Sequence, residues 1–144
     1  MKNLIVGIIL CISSAVYAQD IPSSQVPAAA LNVFQQQFKS ATDAKWEKKP
    51  DHYVVKFKMN KIDHKLKIDG AGKIQRHEQD VKQAELPAAV QKQLTAQFAG
   101  FKVKDPEKFD EGGKVSYKVE LKKDKEERKV IFGADGAVLS NKKD

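Results

Sequence analysis

The chain has 144 residues, a formal net charge of +7 and a single cysteine. This length suits one compact domain or two small units that share a core, and a single cysteine excludes an internal disulfide framework. Although the chain is basic, Arg76 and Arg128 are its only arginines. Because arginine is the preferred reader of bases, we do not expect a nucleic-acid partner.

The first predicted element is a secretory signal. Lys2 precedes an apolar run over 4–12, and small and polar residues follow as far as Ala18, which is the three-part pattern of a cleaved leader. The run is far shorter than the roughly 20 residues of a membrane-spanning helix. We expect cleavage near Ala18 and a periplasmic or secreted protein without a membrane span. An acylated leader is disfavoured because Leu10, not a small residue, precedes Cys11.

An internal repeat organises the rest of the chain. The segment 26–38 aligns without gaps with 86–98, and both segments begin Val/Leu-Pro. Proline is tolerated in the first turn of a helix, where its missing N–H costs nothing. Apolar residues recur at helical spacing in both segments, which predicts two amphipathic helices. The apolar stripes are Ala30, Phe34 and Phe38 in the first copy and Val90, Leu94 and Phe98 in the second.

After each helix the apolar period changes to two, as in a strand with one buried face. The runs 53–59 and 117–121 alternate cleanly, and each is followed by a second alternating run and a glycine-containing hairpin. We expect a short edge strand before each run, at 45–47 and at 101–109. Pro106 would confine the second of these to a sheet edge or split it. Each unit is thus predicted as a helix followed by about four antiparallel strands.

The predicted fold class is α+β, with two tandem helix-plus-four-stranded antiparallel sheet units. The helix of each unit covers one face of its sheet and leaves the other face in water. The repeat leaves open whether the two sheets join edge to edge. We expect a signal peptide at 1–18, a first repeat at 19–78, a connector at 79–85, a second repeat at 86–140 and a frayed tail at 141–144.

Together, the leader, the two Val/Leu-Pro helices, the Tyr-x-Val-x-Phe/Leu strands and the Asp-Gly-type hairpins resemble the PepSY-like, beta-lactamase-inhibitor-like family of bacterial periplasmic proteins. The resemblance implies a tandem helix-and-sheet fold and no catalytic activity. It also implies two analogies, with inhibitory modules of secreted-protease propeptides and with beta-lactamase inhibitor protein, which grips its enzyme with the sheet side of two tandem units. No functional residue of that inhibitor is carried over to this sequence.

Residues suited to catalysis or metal binding are scattered along the chain. The cysteine leaves with the leader, and no serine has a Gly-x-Ser-x-Gly context. His52 is predicted in a turn, His64 on the core side of a strand near the sheet margin, and His77 in a later strand. This scatter is unlike the close spacing of metal ligands. We therefore expect no enzyme activity, no cofactor and no metal.

The sheet faces turned away from the helices are the candidate binding surface. In the first unit four lysines are predicted to share such a face, with few acidic side chains nearby. This favours an acidic protein or a polyanionic envelope component as the partner. The alternative is a face that is simply solvated. Trp46 is predicted either to seal the helix against the sheet or to project as an interface anchor. The candidate residues are Lys56, Lys58, Lys65, Lys67 and Trp46 in the first unit and Lys118, Glu120, Lys122 and Lys129 in the second.

These observations favour a non-catalytic periplasmic binding or inhibitory module that presents its sheet faces to a protein partner, such as an envelope enzyme or an acidic surface. The alternative hypothesis is a small-ligand or metal carrier of the cell envelope, with a pocket between helix and sheet.

Overall fold

The computed structural model describes residues 20–144, so the predicted leader lies outside the described residues. Within them, two α-helices and nine antiparallel strands form two units of one helix and four strands, preceded by one short strand. The predicted α+β class is confirmed. The helices are α1 (Ala28–Gln37) and α2 (Ala88–Gln97), and the strands are β1 (Asp20–Ile21), β2 (Thr42–Lys48), β3 (Tyr53–Met59), β4 (Ile62–Ile68), β5 (Ile74–Asp80), β6 (Lys102–Glu111), β7 (Lys114–Lys123), β8 (Glu126–Gly133) and β9 (Val138–Lys143).

All nine strands belong to one sheet, in which they follow each other in chain order from β1 to β9. The first unit consists of α1 with β2–β5, and the second unit consists of α2 with β6–β9. They join edge to edge through β5 and β6, with register pairs that run from His77↔Asp110 to Asp80↔Glu107. The sheet is therefore continuous across the boundary between the two copies.

Both helices begin directly after a proline, as the repeat predicts. The N–H of Leu31 donates to the carbonyl of Pro27 at 3.0 Å, and the N–H of Gln91 donates to the carbonyl of Pro87 at 3.0 Å. Each proline thus supplies a carbonyl to the first turn, and its missing N–H removes no hydrogen bond. The two helices start in the same way, 60 positions apart in the chain.

Each helix packs its apolar stripe against its own half of the sheet. Phe38 and Phe98 close the C-terminal ends of the two helices, and both are buried. The burial of whole stripes explains why segments with so few turns are helical, since an isolated helix of this length is marginal in water. The main members of the first core are Ala30, Phe34, Phe38, Trp46, Val55, Phe57, Leu66 and Ile68, and those of the second are Leu86, Val90, Leu94, Phe98, Tyr117, Val119, Leu121, Val130 and Phe132.

Both helices lie on the same side of the sheet. Directly paired residues of neighbouring strands point to the same face, and the pairs Leu66↔His77, His77↔Asp110 and Asp110↔Val115 connect the helix side of one unit with that of the other. The opposite side carries no α-helix among residues 20–144. We call this side the open face.

The last hairpin of each unit is docked against the start of its helix through a glycine. Gly72 has a φ of 89° and Gly136 a φ of 85°. A β-carbon would lie 2.9 Å from the carbonyl oxygen of Ala29 in the first unit and 2.7 Å from that of Ala89 in the second. Only glycine satisfies both the positive φ and the close approach.

Neither of the two predicted edge strands lies at a sheet edge. β2, which contains the predicted segment 45–47, pairs with the two-residue β1 as well as with β3. The segment 101–109 was expected to be confined to a sheet edge or split at Pro106, but β6 is one internal strand, paired with both β5 and β7. Pro106 is accommodated because the register with β7 shifts between Lys104 and Glu107, which forms a bulge. A residue in a bulge makes no regular ladder bond, so a missing N–H is tolerated inside the sheet.

The chain end also differs from expectation. Residues 141–143, predicted as part of a frayed tail, continue β9 and pair with β8 as far as Lys143. The carboxylate of Asp144 lies 2.9 Å from Nζ of Lys129. Ladder hydrogen bonds and this ion pair hold the end of the chain to the sheet.

Candidate functional site

Side chains on the open face form rows that cross the strands, because residues paired in neighbouring strands lie side by side. Two of the three rows cross the β5–β6 junction from the first unit into the second. The three rows are Val54, Lys67 and Arg76; Lys45, Lys56, Lys65, Glu78, Phe109, Ser116 and Gly133; and Asp80, Glu107, Lys118, Ile131 and Ser140.

The lysines of the first unit lie on this face, but the prediction that few acidic side chains lie near them is wrong. Nζ of Lys56 is 2.8 Å from Glu47, and Nζ of Lys65 is 3.3 Å from Glu78. The carboxylates come from β2 and β5, so a pattern confined to the two lysine-bearing strands could not reveal them. The other two lysines are Lys58, which lies 3.6 Å from Asp63, and Lys67, which forms no ion pair within 4 Å among residues 20–144.

The ion pair between Lys56 and Glu47 affects the titration of both groups. The hydrogen bond from Lys56 lowers the pKa of the Glu47 carboxyl, and Glu47 in turn raises the pKa of Lys56. Both groups therefore keep their charges over a wider pH range than they would alone.

The open face of the second unit carries charges of both signs, and its lysines have carboxylate partners of their own. Glu120 is paired in register with Lys129 on the neighbouring strand. This half of the face is more balanced in charge than the first half. The ion pairs are Lys118 with Glu107 at 2.8 Å, Lys122 with Glu127 at 2.6 Å and Lys129 with Asp144 at 2.9 Å.

Trp46 is not part of the open face. Its side chain is 4% exposed, and its ring packs edge-on against Phe34 with centroids 5.3 Å apart. Its register partner is Val55, a core residue on the helix side. Trp46 therefore seals α1 against the sheet, and its interpretation as an interface anchor is wrong.

The open face contains one aromatic residue that the sequence patterns did not single out. Phe109 is 5% exposed, although it belongs to neither helix-side core. The guanidinium carbon of Arg76 lies 4.2 Å from the ring centroid, and Nζ of Lys118 lies 5.9 Å from it. Two cationic side chains thus cover an aromatic ring near the junction of the units. Because the bulge at Pro106 interrupts the alternation of β6, the face of Phe109 could not be predicted from local parity.

Two of the scattered histidines meet in the structure, which corrects the sequence-based expectation. Nδ1 of His64 lies 3.0 Å from Nε2 of His77, and the ring of His64 stacks on Phe57 with centroids 5.1 Å apart. Burial lowers the pKa of both histidines, and the neighbouring His64 lowers that of His77 further. The pair is therefore a neutral, hydrogen-bonded extension of the first core.

Carboxylates do not assemble with these imidazoles into a larger ligand set. Partial burial raises the pKa of Asp80, and Glu107, Asp63 and Asp105 contribute to the rise in that order. Across residues 20–144, no group of three or more His, Cys, Asp or Glu side chains is placed to hold a metal ion.

A hollow of about 390 Å³ lies on the helix side, at the edge of the first unit. Leu31 and Phe34 of α1 line it together with Ile21 of β1 and Trp46 of β2. It is the feature of the described chain that corresponds to the predicted pocket between helix and sheet.

Comparison with known proteins identifies what the chain is similar to. The model of the family described as "Putative beta-lactamase-inhibitor-like, PepSY-like" matches twice, over residues 15–76 and 73–140. Among curated proteins, no significant sequence match was found. Each of the two matches contains one of the two proline-led helices.

Several solved structures share the fold. A DUF2874 family protein from Bacteroides uniformis is 20% identical, with a TM-score of 0.74, over 81% of this chain and 88% of that one. A protein from Bacteroides eggerthii, described as "putative periplasmic", is 19% identical, with a TM-score of 0.75, over 82% and 88%. A BLIP-like protein from Bacteroides fragilis is 18% identical, with a TM-score of 0.70, over 80% and 84%. At these identities the likeness concerns the fold.

Neither helix in residues 20–144 has the length and apolar character that crossing a lipid bilayer requires.

Proposed function

The chain belongs to the PepSY-like, beta-lactamase-inhibitor-like family, and from this we propose that it is a non-catalytic binding module that presents the open face of its sheet to a protein partner. We further propose that it acts in the periplasm or outside the cell after cleavage near Ala18. The leader pattern in the sequence and the "putative periplasmic" description of a structural relative support this compartment.

The observation that carries the proposal is the continuity of the open face across both units. The helix side of each half-sheet is filled by its own helix, whereas two rows on the other side cross the β5–β6 junction, one from β2 to β8 and one from β5 to β9. Phe109 is held among these charged rows under Arg76 and Lys118. Aromatic residues and arginine are the types that dominate the energetics of protein interfaces.

The charged groups of the open face support binding more than chemistry. Its carboxylates and lysines are largely engaged with each other, as in the pair of Lys56 and Glu47. A catalytic group needs a free partner and a pKa suited to proton transfer, whereas such pairs keep both members charged. Mixed charges on one surface are suited to orienting a partner protein.

Site-specific photo-crosslinking in the native host tests the proposal. A photoreactive amino acid replaces Lys67 or Ile131 on the open face, and the matched controls carry it at Lys39 or Lys92, which are exposed on the helix side. We expect one protein to be captured from both open-face positions and not from the controls. Capture from the helix side alone, or none from the open face, would contradict the proposal.

A carrier of small ligands remains the second candidate, because the hollow beside α1 has an apolar lining that includes Leu31 and Trp46. Native mass spectrometry of protein purified from its host distinguishes the two, since a carrier brings a non-protein mass that disappears when Leu31 is replaced by a larger residue such as Trp.

A further inference from the structure

Two recesses of the open face, one in each unit, differ in chemistry. The first, which we call the cationic hollow, has a volume of about 370 Å³ and lies over β2–β5 with Val54 among its lining residues. The second, the apolar hollow, has a volume of about 220 Å³ and extends over β6–β9. Arg76 lines both recesses, so they are neighbours on one continuous surface.

The cationic hollow has an excess of positive charge that its own carboxylates do not neutralise. Glu47 is shared by Lys56 and by Lys49, whose Nζ lies 3.1 Å away. Glu78 is likewise shared by two cations, and these two glutamates are the only acidic residues in the lining. The cations that line the hollow are Lys49, Lys56, Lys65, Lys67 and Arg76.

Arg76 is held in place by its contact with the face of the Phe109 ring as well as by its ion pairs. Its Nη1 donates to Glu111 at 2.9 Å, outside the cationic hollow. Its Nε is 2.7 Å from Glu78, yet among the described residues no acceptor is aligned with this buried N–H. Even when Glu111 is counted, the cations of the hollow outnumber the carboxylates, which suits a ligand with more than one negative charge.

The apolar hollow exists because two small residues stand beside Phe109. Ser116 and Gly133 are the next members of its row, and neither can cover the ring as a larger side chain would. Ile131 and Leu139 form the far side of the recess, and Leu139 is 53% exposed. The charged side chains of Arg76, Glu111 and Lys114 also line it. An exposed apolar recess beside a buried ring is the geometry that receives an anchor side chain of a partner.

We infer that the partner presents a protein segment with two features, an acidic group of side chains over the cationic hollow and a single large apolar side chain in the apolar hollow. This inference rests on the proposed function and names the chemistry of the partner. Lys67 on β4 and Ile131 on β8 are four strands apart, which corresponds to about 20 Å at the usual strand spacing. A plain polyanion would satisfy the first recess and leave the second empty, which favours a protein over a polyanionic component.

Fluorescence anisotropy with labelled synthetic peptides and the purified mature protein tests the inference. The main probe carries Asp-Glu-Asp and Leu-Phe, separated by six Gly/Ser residues that span about 20 Å when extended. One control peptide replaces the acids by Asn-Gln-Asn, and the other replaces Leu-Phe by Ser-Ser. We expect each control to bind about tenfold more weakly than the main probe, which is a difference of about 1.4 kcal/mol. Only the contribution of the acids should weaken with salt.

Variants of the protein locate the two contributions. Lys65→Glu with Lys67→Glu should abolish the preference for acids and retain that for Leu-Phe. Ser116→Leu, which fills the apolar hollow, should do the reverse, and Leu139→Ser serves as a second variant that leaves the strand interior unchanged. Lys39→Glu with Lys92→Glu is the matched charge control and should bind like wild type.

Equal binding of all three peptides, or no binding of the main probe at millimolar concentration, would overturn the inference. Retention of the preference for acids in the Lys65→Glu/Lys67→Glu variant, or of the preference for Leu-Phe in both Ser116→Leu and Leu139→Ser, would overturn it as well. None of these results would contradict the proposed function, which fails only if photo-crosslinking captures no partner on the open face.

Discussion

The two units share a frame, which is the backbone arrangement of one helix packed on four strands, but they fill it with different side chains. In the first core the Phe34 ring lies 5.3 Å from Trp46 and 5.1 Å from Phe57. Leu94 and Leu121 occupy the positions that correspond to the two phenylalanines. The retained features are the proline before the helix, the apolar stripe and the hairpin glycine. The frame therefore depends on backbone geometry and on the pattern of burial, and different apolar side chains can complete it as long as they fill the space.

The open faces differ in the same way, and here the difference bears on function. The first unit exposes a cationic recess, whereas the second exposes an apolar one beside Phe109. Since the helix side stabilises both units, side chains on the open face are free to diverge without loss of the core. Duplication thus supplies two adjoining surfaces of different chemistry on a single sheet.

The largest expected effect is the loss of stability when the phenylalanine at the end of either helix is truncated, and it compares how much each helix contributes to stability. Phe38→Ala and Phe98→Ala should each lower the free energy of unfolding by about 3–5 kcal/mol, because each leaves a cavity at the end of its helix. The loss should be larger for Phe38 than for Phe98. The ring centroid of Phe38 lies 5.0 Å from that of Phe57 and 5.2 Å from that of His77, whereas the centroid of Phe98 lies 6.1 Å from that of Phe132. Urea unfolding, followed by circular dichroism, measures both.

Gln37→Ala and Gln97→Ala, which are exposed at the preceding helical positions, are the controls and should change stability by less than about 0.5 kcal/mol. Losses below about 1 kcal/mol for both phenylalanines would show that the helices are not seated on the sheet.

A smaller effect tests the equivalence of the two docked hairpins. Gly72→Ala and Gly136→Ala should destabilise the protein by similar amounts, because each combines a positive φ with a contact under 3 Å to a helix carbonyl. Gly112 has a φ of 62° and nothing within 4 Å of an added β-carbon. Gly112→Ala should therefore show the conformational cost alone, about 1–2 kcal/mol, and the two docked positions should exceed it. Thermal unfolding of the three variants side by side provides the measurement.

If Gly112→Ala were as costly as the docked positions, contact with the helix would contribute nothing to the requirement for glycine. Gly70→Ala, where the nearest atom is 3.7 Å away and φ is not positive, should be tolerated.

The histidines should make the free energy of unfolding depend on pH. All three histidines of the chain lie in the first unit, and burial lowers the pKa of His64 and His77 below the usual 6.5. As the pH falls below 6.5, the unfolded chain binds protons that the folded pair does not accept, so stability must decline. The charged groups that influence the pair are Asp63, Glu78, Asp80, Lys108 and Asp110.

Urea unfolding between about pH 7 and pH 5, monitored by Trp46 fluorescence, measures the slope of this dependence. The double variant His64→Gln/His77→Gln should flatten it, and His52→Gln, outside the cluster, should not. An unchanged slope in the double variant would show that other groups are responsible.

Much of the frame was predictable because it depends on local periodicity. The two proline-led helices, the alternation of β3 and β7 and the hairpin glycines each follow from spacing along a short stretch of chain. Expectations failed where a neighbouring strand decides the outcome. Glu47 and Glu78 neutralise lysines of β3 and β4 from outside those strands, and Pro106 lies in a bulge of an internal strand.

The sequence by itself determined the repeat, the place of each helix and the side of the sheet on which most residues lie, since these follow from contacts close in the chain. The tertiary structure alone decided that β5 joins β6, that His64 meets His77, that Trp46 is buried and that Phe109 lies on the open face. These outcomes depend on which strands pair and in what register, and such long-range pairing leaves no trace in the local pattern of apolar and polar residues.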